Sequence, residues 1–505
     1  MPGADIRAWH DIAENRRGQG GGNGEKTESS FRSRNGLRVH REHCVGRERR
    51  KRARTKLRNG PTSMKTFRHG VHPPENKDAT EHKPIRRLPF PAEVIVPLVQ
   101  HTGAPAKAIV REGQEVVRGE PIAEPGGFVS VPMHAPVTGV VDRIDTALAP
   151  NGTKVPAIYI KAYPGASQEV LYGAPQNIDT MSQADLVKAV QATGVVGLGG
   201  AAFPTHVKLS LPEGKKVDTV VVNGCECEPY LTTDHRIMLE HPESVVMGAR
   251  IIMKAIGASR VIIGTESNKQ DAAEALRQAI QPGDPIQVEV VETKYPQGAE
   301  KMLIKALVNR DVPSGGLPLE IGVGVFNVAT LAQIGELLPK RQGLIERVVT
   351  ITGPGVKEPG NFMVPLGTPL SFALKFTGFE GSARQIVLGG PMMGVSAASL
   401  DIPITKGITS ILVLTEAQVA ECTRKTYPCI RCASCVQACP MHLNPSQLGL
   451  LADKREYEDM TERYHLMDCF ECGSCAYVCP SNIPLVQKFR VAKSLVRERK
   501  AAACR

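Results

Sequence analysis

Short apolar runs broken by glycine and proline dominate residues 84–165. "AEVIVPLV", "AKAIV" and "AIYIKAY" alternate with the turn-forming stretches "REGQ", "VRGEP" and "EPGG", which predicts a compact all-β unit. Over residues 175–345 the period changes. "VDTVVVNG" reads as a short buried strand, and "PESVVMGARIIMKAIG" as a helix with Glu243, Arg250 and Lys254 on a polar stripe and Gly257 as its stop. "RVIIG", "KQDAAEALRQAI" and "IQVEVVE" continue the alternation. That order predicts a largely parallel sheet covered by helices, with ligands beyond the carboxyl ends of the strands. Residues 346–400 ("ERVVTITGPG", "VPLGTPL", "ARQIVLGG") return to short strands and turns and predict a small β-rich module. Residues 423–495 hold a helical linker around "NPSQLGLLADKREYEDM" and end in the basic helix "LVQKFRVAKSLVRERK". The fold class expected is therefore multidomain α/β.

Composition changes this picture at one end. Residues 1–63 carry 16 Lys and Arg against 7 Asp and Glu, or +9 of the total +11. The other 442 residues are close to neutral, so the basic balance does not point to nucleic acid. The leader, with "GQGGGNGEK" and the basic run Arg47 to Arg58, has little apolar periodicity, and it is expected to be disordered. A start at Met64, opening "MKTFRHGVHPPENK", is an alternative beginning. No stretch of eighteen consecutive apolar residues occurs, so no membrane span is expected. Thirteen cysteines, clustered rather than distributed, fit reduced thiols better than a disulfide framework; Cys44 and Cys504 lie near the ends and read as incidental.

Eight of the thirteen cysteines fall in two copies of C-x2-C-x2-C-x3-C-P: "CIRCASCVQACP" and "CFECGSCAYVCP". Three thiolates within seven residues can wrap one face of a cubane, while the fourth, followed by proline, turns toward the neighbouring cluster. Cys429, Cys432, Cys435 and Cys479 are thus expected to hold one [4Fe-4S] cluster, and Cys469, Cys472, Cys475 and Cys439 the second. Zinc is the competing metal, but its modules use two separated pairs. The section resembles the bacterial two-cluster ferredoxins, including Pro440 and Pro480. With every iron filled by thiolate, the pair is a relay rather than a catalytic centre.

Two further stretches stand out. "GVVGLGGAAFPTHVKLS" offers free amides with Lys208 nearby, a possible phosphate cradle. "VVVNGCECEP" ends a predicted strand, with Asn223 suited to a flavin edge and Glu226 and Glu228 as acceptors. Its C-x-C pair, Cys225 and Cys227, reads as small buried residues. These segments resemble the FMN site of the NADH-oxidising flavoprotein subunit of respiratory complex I. The matching positions are Gly197, Gly199, Gly200, Phe203, Pro204, Thr205 and Lys208, then Asn223, Glu226, Glu228 and Pro229. "YPQGAEKML" adds Tyr295, Gly298 and Glu300, and "FNVATL" adds Asn327 and Thr330. Leu198 stands where that family has an arginine, Cys225 where it has an aspartate and Ala299 where it has a glutamate.

"VREGQEVVRGEPIAE" with "VPMHAPVTGVVDRI" looks like a lipoyl or biotinyl barrel-sandwich, yet the hairpin stretch "GGFVSVPMHAP" has no lysine to modify. This counts against a carboxylase carrier component. The whole order over residues 64–495, barrel-sandwich, Rossmann-like flavin/NAD domain, β-grasp module and two-cluster ferredoxin-like α-rich domain, resembles the C subunit of the Rnf ion-translocating oxidoreductases. The resemblance implies FMN, NAD(H) and two [4Fe-4S] clusters as cofactors. It also implies a peripheral place on the cytoplasmic face of a bacterial inner membrane. The partners it implies are integral ion-translocating subunits, an iron-sulfur subunit and a ferredoxin-type or other electron carrier. Hydride exchange with a flavin needs no nucleophile or acid, so no catalytic side chain is assigned, and His206 reads as a satisfied or surface histidine. The alternative is a non-enzymatic wiring subunit with intact clusters and a vestigial flavin site, which Leu198 and Cys225 favour. The cations of the terminal helix, Lys488, Arg490, Lys493, Arg497, Arg499 and Lys500, read as a solvated face rather than a lipid contact.

Overall fold

Thr219–Gly224, Arg260–Glu266, Ile286–Val291 and Val323–Asn327 are runs of mostly apolar residues, the pattern of strands covered on both faces. In the computed structural model, which describes residues 64–381, 383–422 and 424–503, they form one wholly parallel sheet. Its spatial order is Ile286–Val291, Arg260–Glu266, Thr219–Gly224, Val323–Asn327. The chain builds outward from Thr219–Gly224 on one side, then crosses to the other. Strand order reverses between Thr219–Gly224 and Val323–Asn327, whose register sets Asn223 opposite Asn327 at the carboxyl ends. Connections leaving to opposite sides open a crevice at that point. The helix Pro242–Ile256, stopped by Gly257 at φ 73°, packs against Val328–Leu337. A Cβ on Gly248 or Gly335 would come within 2.0 Å of the facing backbone oxygen, so only glycine permits so close a crossing.

The barrel-sandwich pairs Glu93–Pro97, Lys154–Ala162, Gly139–Leu148 and Glu115–Val116 in one antiparallel sheet, and Lys107–Ala108, Pro121–Glu124 and Met133–His134 in another. Val94, Val96, Met133, Val141, Ile158 and Ile160 fill the space between them. Its hairpin tip abuts the glycine-rich loop: the Phe128 carbonyl sits 2.8 Å from His206 Nε2, and Thr102 N donates to Ala202 O. His206 is buried, with Nδ1 left without a partner.

The third unit takes in more chain than residues 346–400. Its six-stranded sheet sets Ser410–Leu414 between Glu346–Thr352 and Gln385–Leu388, and adds Ile85–Arg87 at the edge beside Gly360–Pro365. The cysteine-rich unit is helical. The linker between its arrays is two helices, Pro445–Lys454 and Tyr457–Glu462, parted where Arg455 takes φ 60°. The terminal helix Leu485–Ala503 packs against Pro445–Lys454 and closes the core through Leu485, Phe489 and Ala492. Among the described residues no helix is long and apolar enough to cross a membrane. The basic leader 1–63, with Cys44 and the run Arg47 to Arg58, and Cys504 lie outside the described residues.

Candidate functional site

The glycine-rich loop closes on itself: Gly197 N donates to Phe203 O (2.8 Å) and Ala202 N to Gly197 O (3.0 Å). Gly199 and Gly200 stand exposed at its outer rim, and a Cβ on Gly199 would lie 3.3 Å from the Asn327 amide. Leu198, in the place of the family's arginine, turns its side chain into the core. The loop is held instead from two other elements. Leu198 N donates to Thr330 Oγ1 (2.9 Å), and the buried Arg347 of the six-stranded sheet donates to Leu198 O (3.1 Å).

Lys406, the single charged residue between Asp401 and Glu416, is buried beside that loop. It donates to Gly194 O (2.7 Å) and Pro132 O (3.1 Å), tying three units together. Burial lowers its pKa from 10.5 to about 7, and His134 and His101 nearby feel its charge and are themselves held neutral by burial. Between those two values the unfolded chain holds a proton that the folded chain lacks, so stability rises with pH across the window. The gain from about pH 7 to about pH 9 is expected to be on the order of 2 kcal/mol. The thermal midpoint should climb accordingly and the climb should flatten in Lys406→Met; an equal climb in both proteins contradicts the assignment.

Asn223, Asn327, Gly197, Gly199 and Gly200 converge where strand order reverses. Lys208, from the short helix after the loop, lies 3.5 Å from Glu300 and donates to Val325 O (3.1 Å). Asn327 Oδ1 caps Val328–Leu337 and its Nδ2 donates to Asp234. The acidic loop behaves differently from its sequence reading. Both Glu226 oxygens accept backbone amides at the start of the next helix, from Asp234 and His235 (2.8 and 3.1 Å). Both Glu228 oxygens accept the amides of Met392 and Met393 (3.0 and 2.8 Å). These carboxylates brace the loop against neighbouring segments. Burial pushes the Glu228 carboxyl up to about 7, against the pull of those two amides. The carbonyls of the same loop are held by Lys77, whose Nζ donates to Glu226 O, Glu228 O and Leu231 O from a fully buried position.

Cysteines of the two arrays meet across them. Cys439, Cys469, Cys472 and Cys475 line one pocket with Phe470, Leu448 and Phe489. Cys475 lies in the field of the other three. Cys435 lies in that of Cys432 and of Cys479 from the other array. Tyr427 N donates to Ser481 O and Ser481 Oγ to Pro428 O, which ties the chain before Cys429 to the chain after Cys479. Arg490 and Lys493 both pair with Glu471, at 3.1 and 3.0 Å, and Lys493, which is buried, also reaches Cys469 O.

A short chain of contacts joins the two sites. Asn223 Nδ2 donates to Gly298 O (2.8 Å), and Gly298 N lies 3.3 Å from Cys227 Sγ. Cys227 packs with Val71, Tyr295, Ala438 and Cys472, and the Tyr295 hydroxyl donates to Cys472 O. Tyr295→Phe is expected to cost about 1 kcal/mol of stability. It should also shift the midpoint potential of a cluster held by Cys472, since the freed carbonyl and any water it admits change the polarity around the ligand. A redox titration followed by EPR at unchanged iron content checks this. Gln297, next in the same turn, is fully buried with neither side-chain polar atom partnered.

Four sequence families match: the RnfC barrel sandwich hybrid domain over residues 65–163, the Nuo51 FMN-binding domain over 190–336, the SLBB domain over 348–396 and the 4Fe-4S dicluster domain over 428–483. The C subunit of the proton-translocating ferredoxin:NAD(+) oxidoreductase complex of Clostridium ljungdahlii is 45% identical over 85% of this chain and 94% of its own. The chain belongs to the family of C subunits of ion-translocating oxidoreductase complexes. The C subunit of the Na(+)-translocating complex of Acetobacterium woodii is 43% identical over 85% of this chain and 96% of its own. Its counterpart in Rhodobacter capsulatus is 38% identical over 87% and 85%.

The site fits the groups these families carry. The orphaned amide of Gln297, the open rim at Gly200 and the paired Asn223 and Asn327 suit a polar ring ligand at the crevice. The all-thiol donor set in an apolar pocket suits an iron-sulfur cluster. Lys77, Arg347, Lys406 and Gln297 were not singled out from the sequence. Only Lys406, alone in an apolar stretch, left a signal there.

Proposed function

We propose that the chain is the peripheral electron-transfer subunit of an ion-translocating ferredoxin:NAD(+) oxidoreductase complex, on the cytoplasmic face of a bacterial inner membrane. It passes electrons between NAD(H) and ferredoxin-type carriers in a complex with integral ion-translocating subunits. The observation that carries this reading is the contact of Tyr295 with Cys472, which joins the crevice to the first cysteine group through buried protein.

In this reading the amides of Gly197, Gly199 and Gly200, with Lys208, hold the phosphate of FMN, and Asn223, Gly298 and Asn327 hold its ring end. Bound FMN supplies the exchange between two-electron hydride chemistry and single electrons. Phe203 and Glu300 border the same opening and bound the NAD(H) face. Glu226 and Glu228 act through the loop they brace. The quartet Cys439, Cys469, Cys472 and Cys475 holds the cluster nearer the flavin, and Cys429, Cys432, Cys435 and Cys479 the farther one. Tyr295 and Cys472 are buried and Cys227 is half-buried along the path between them.

The wiring alternative draws on the engaged carboxylates of Glu226 and Glu228. Anaerobic purification decides between the two, with iron, sulfide and acid-extracted flavin counted per chain and NADH then titrated in. Flavin near one per chain, with NADH bleaching the clusters, supports the enzymatic reading. Clusters without flavin and without bleaching leave the chain as wiring alone.

A further inference from the structure

The two cysteine groups differ in exposure. Cys439, Cys472 and Cys475 are buried and Cys469 is half-buried, whereas in the other group only Cys435 is buried, Cys429 and Cys479 are half-buried and Cys432 is exposed. The second group opens on a distinctive surface. Ile430, Tyr427 and Tyr477 there are 67%, 52% and 50% exposed. Half-exposed aromatic and aliphatic side chains set among cations make up the composition of a protein interface. The charge is one-sided: Arg424, Lys425 and Arg431 are exposed, and residues 424–437 and 476–482 contain no acidic side chain. Lys425 Nζ lies 5.6 Å from the centre of the Tyr427 ring. Among the described residues none of the three cations forms an ion pair, in contrast to Arg490 and Lys493 at the buried group.

We propose that this face is the electron port of the chain and docks the acidic face of a neighbouring protein that carries a one-electron centre. The proposal rests on the electron-transfer reading above. A protein partner is favoured over anionic lipid because the exposed thiol Cys432 sits inside the patch, and a cluster turned to lipid has no acceptor. Each encounter moves one electron, oxidising this chain by one and reducing the partner by one, with no bond made and no proton required. Two encounters clear the pair that one hydride delivers. Complementary charge steers such encounters and is screened by salt.

The test uses the cluster-loaded full chain, with a soluble acidic [4Fe-4S] ferredoxin as probe and a basic cytochrome c as counter-probe. Binding is measured with both proteins oxidised, and transfer by stopped flow from pre-reduced ferredoxin to the oxidised chain and from the NADH-reduced chain to cytochrome c. The ferredoxin rate is expected to fall roughly tenfold or more between about 50 mM and about 500 mM salt. Arg424→Glu/Lys425→Glu/Arg431→Glu should weaken ferredoxin binding at least about tenfold and improve transfer to cytochrome c, with iron content and NADH reduction unchanged. Should the triple variant lose iron, Arg424→Glu alone, outside the array, is read in the same binding assay and should show a smaller loss in the same direction.

Three results overturn the proposal. One is equal, salt-independent ferredoxin binding by both proteins. Another is a changed cluster potential with unchanged binding, which makes the cations a counter-charge for the cluster. The third is a charge-dependent affinity for phosphatidylglycerol vesicles without any for ferredoxin. Failure of NADH to reduce the clusters would sink the electron-transfer reading instead, and oxidised-state binding would still judge the docking face.

Discussion

Cys439→Ser is expected to empty the metal centre of the opposite array and to leave that of its own array intact. Cys439 shares its pocket with Cys469, Cys472 and Cys475, and its thiol, pushed up to about 11 by burial, feels Cys472 and Cys469. Serine keeps the shape of the side chain, so the backbone contacts that fasten the N-terminal strap there remain. Those are His69 Nδ1, 3.0 Å from Cys439 O, and Gly70 N, which donates to Ala438 O (3.2 Å). Iron should fall from about eight to about four per chain, because each cubane carries four. The surviving cluster should be the one served by Cys429, Cys432, Cys435 and Cys479. Flavin should still be reduced by NADH, while electrons no longer reach external acceptors at a measurable rate, since the lost cluster is the one joined to Tyr295. EPR of the reduced protein together with iron counting checks this. Survival of the cluster bound by Cys469, Cys472 and Cys475, with loss of the other, would mean that each array ligates its own metal.

How far the sequence reveals this fold depends on how local each cause is. The four parallel strands are plain because each is a continuous apolar run, and the helix Pro242–Ile256 announces both ends, with proline first and Gly257 last. Their spatial order is set by pairing between distant segments, which no local pattern carries. Ser410–Leu414 is as apolar as its neighbours, yet only its pairing with Glu346–Thr352 and Gln385–Leu388 assigns it to their sheet. The linker between the arrays reads as one helix because nothing in "ADKREYED" marks the left-handed turn at Arg455.

The site divides along the same line. Cysteine spacing points to the metal because three ligands expected of each centre lie within seven residues of one another, and Gly199 and Asn223 are legible through their motifs. The tasks of Glu226 and Glu228 are not, because their partners are backbone amides of a later helix and of a turn more than 160 residues away. Arg490 and Lys493 read as solvated for a similar reason. Their partner Glu471 lies inside the second array, at φ 63°, where its carboxylate meets the terminal helix.

Lys77→Met is expected to cost the protein about 3–5 kcal/mol of stability and most of its flavin. In sequence Lys77 is one more charge in the polar stretch "PENKDATEHK", with nothing to set it apart. In the structure it is buried against the acidic loop and hydrogen-bonds three loop carbonyls. Burial and the charge of Lys269 work against its proton, while Glu226 and Glu266 support it. Glu266 and Lys269 form a buried ion pair at 2.9 Å, so these two anions and two cations lie close together. Methionine fills the volume but leaves one carboxylate in excess and three carbonyls without a donor, each a desolvation loss of about 1–3 kcal/mol. The loop that presents Asn223 would relax toward water, and flavin would dissociate with it. Lys77→Arg keeps the charge but not the compact ammonium that meets three oxygens at once, so it should recover part of the stability and less of the flavin. Chemical denaturation and extracted flavin per chain measure the two effects separately. A methionine variant with full flavin and unchanged stability would show that the loop holds its form without this cation.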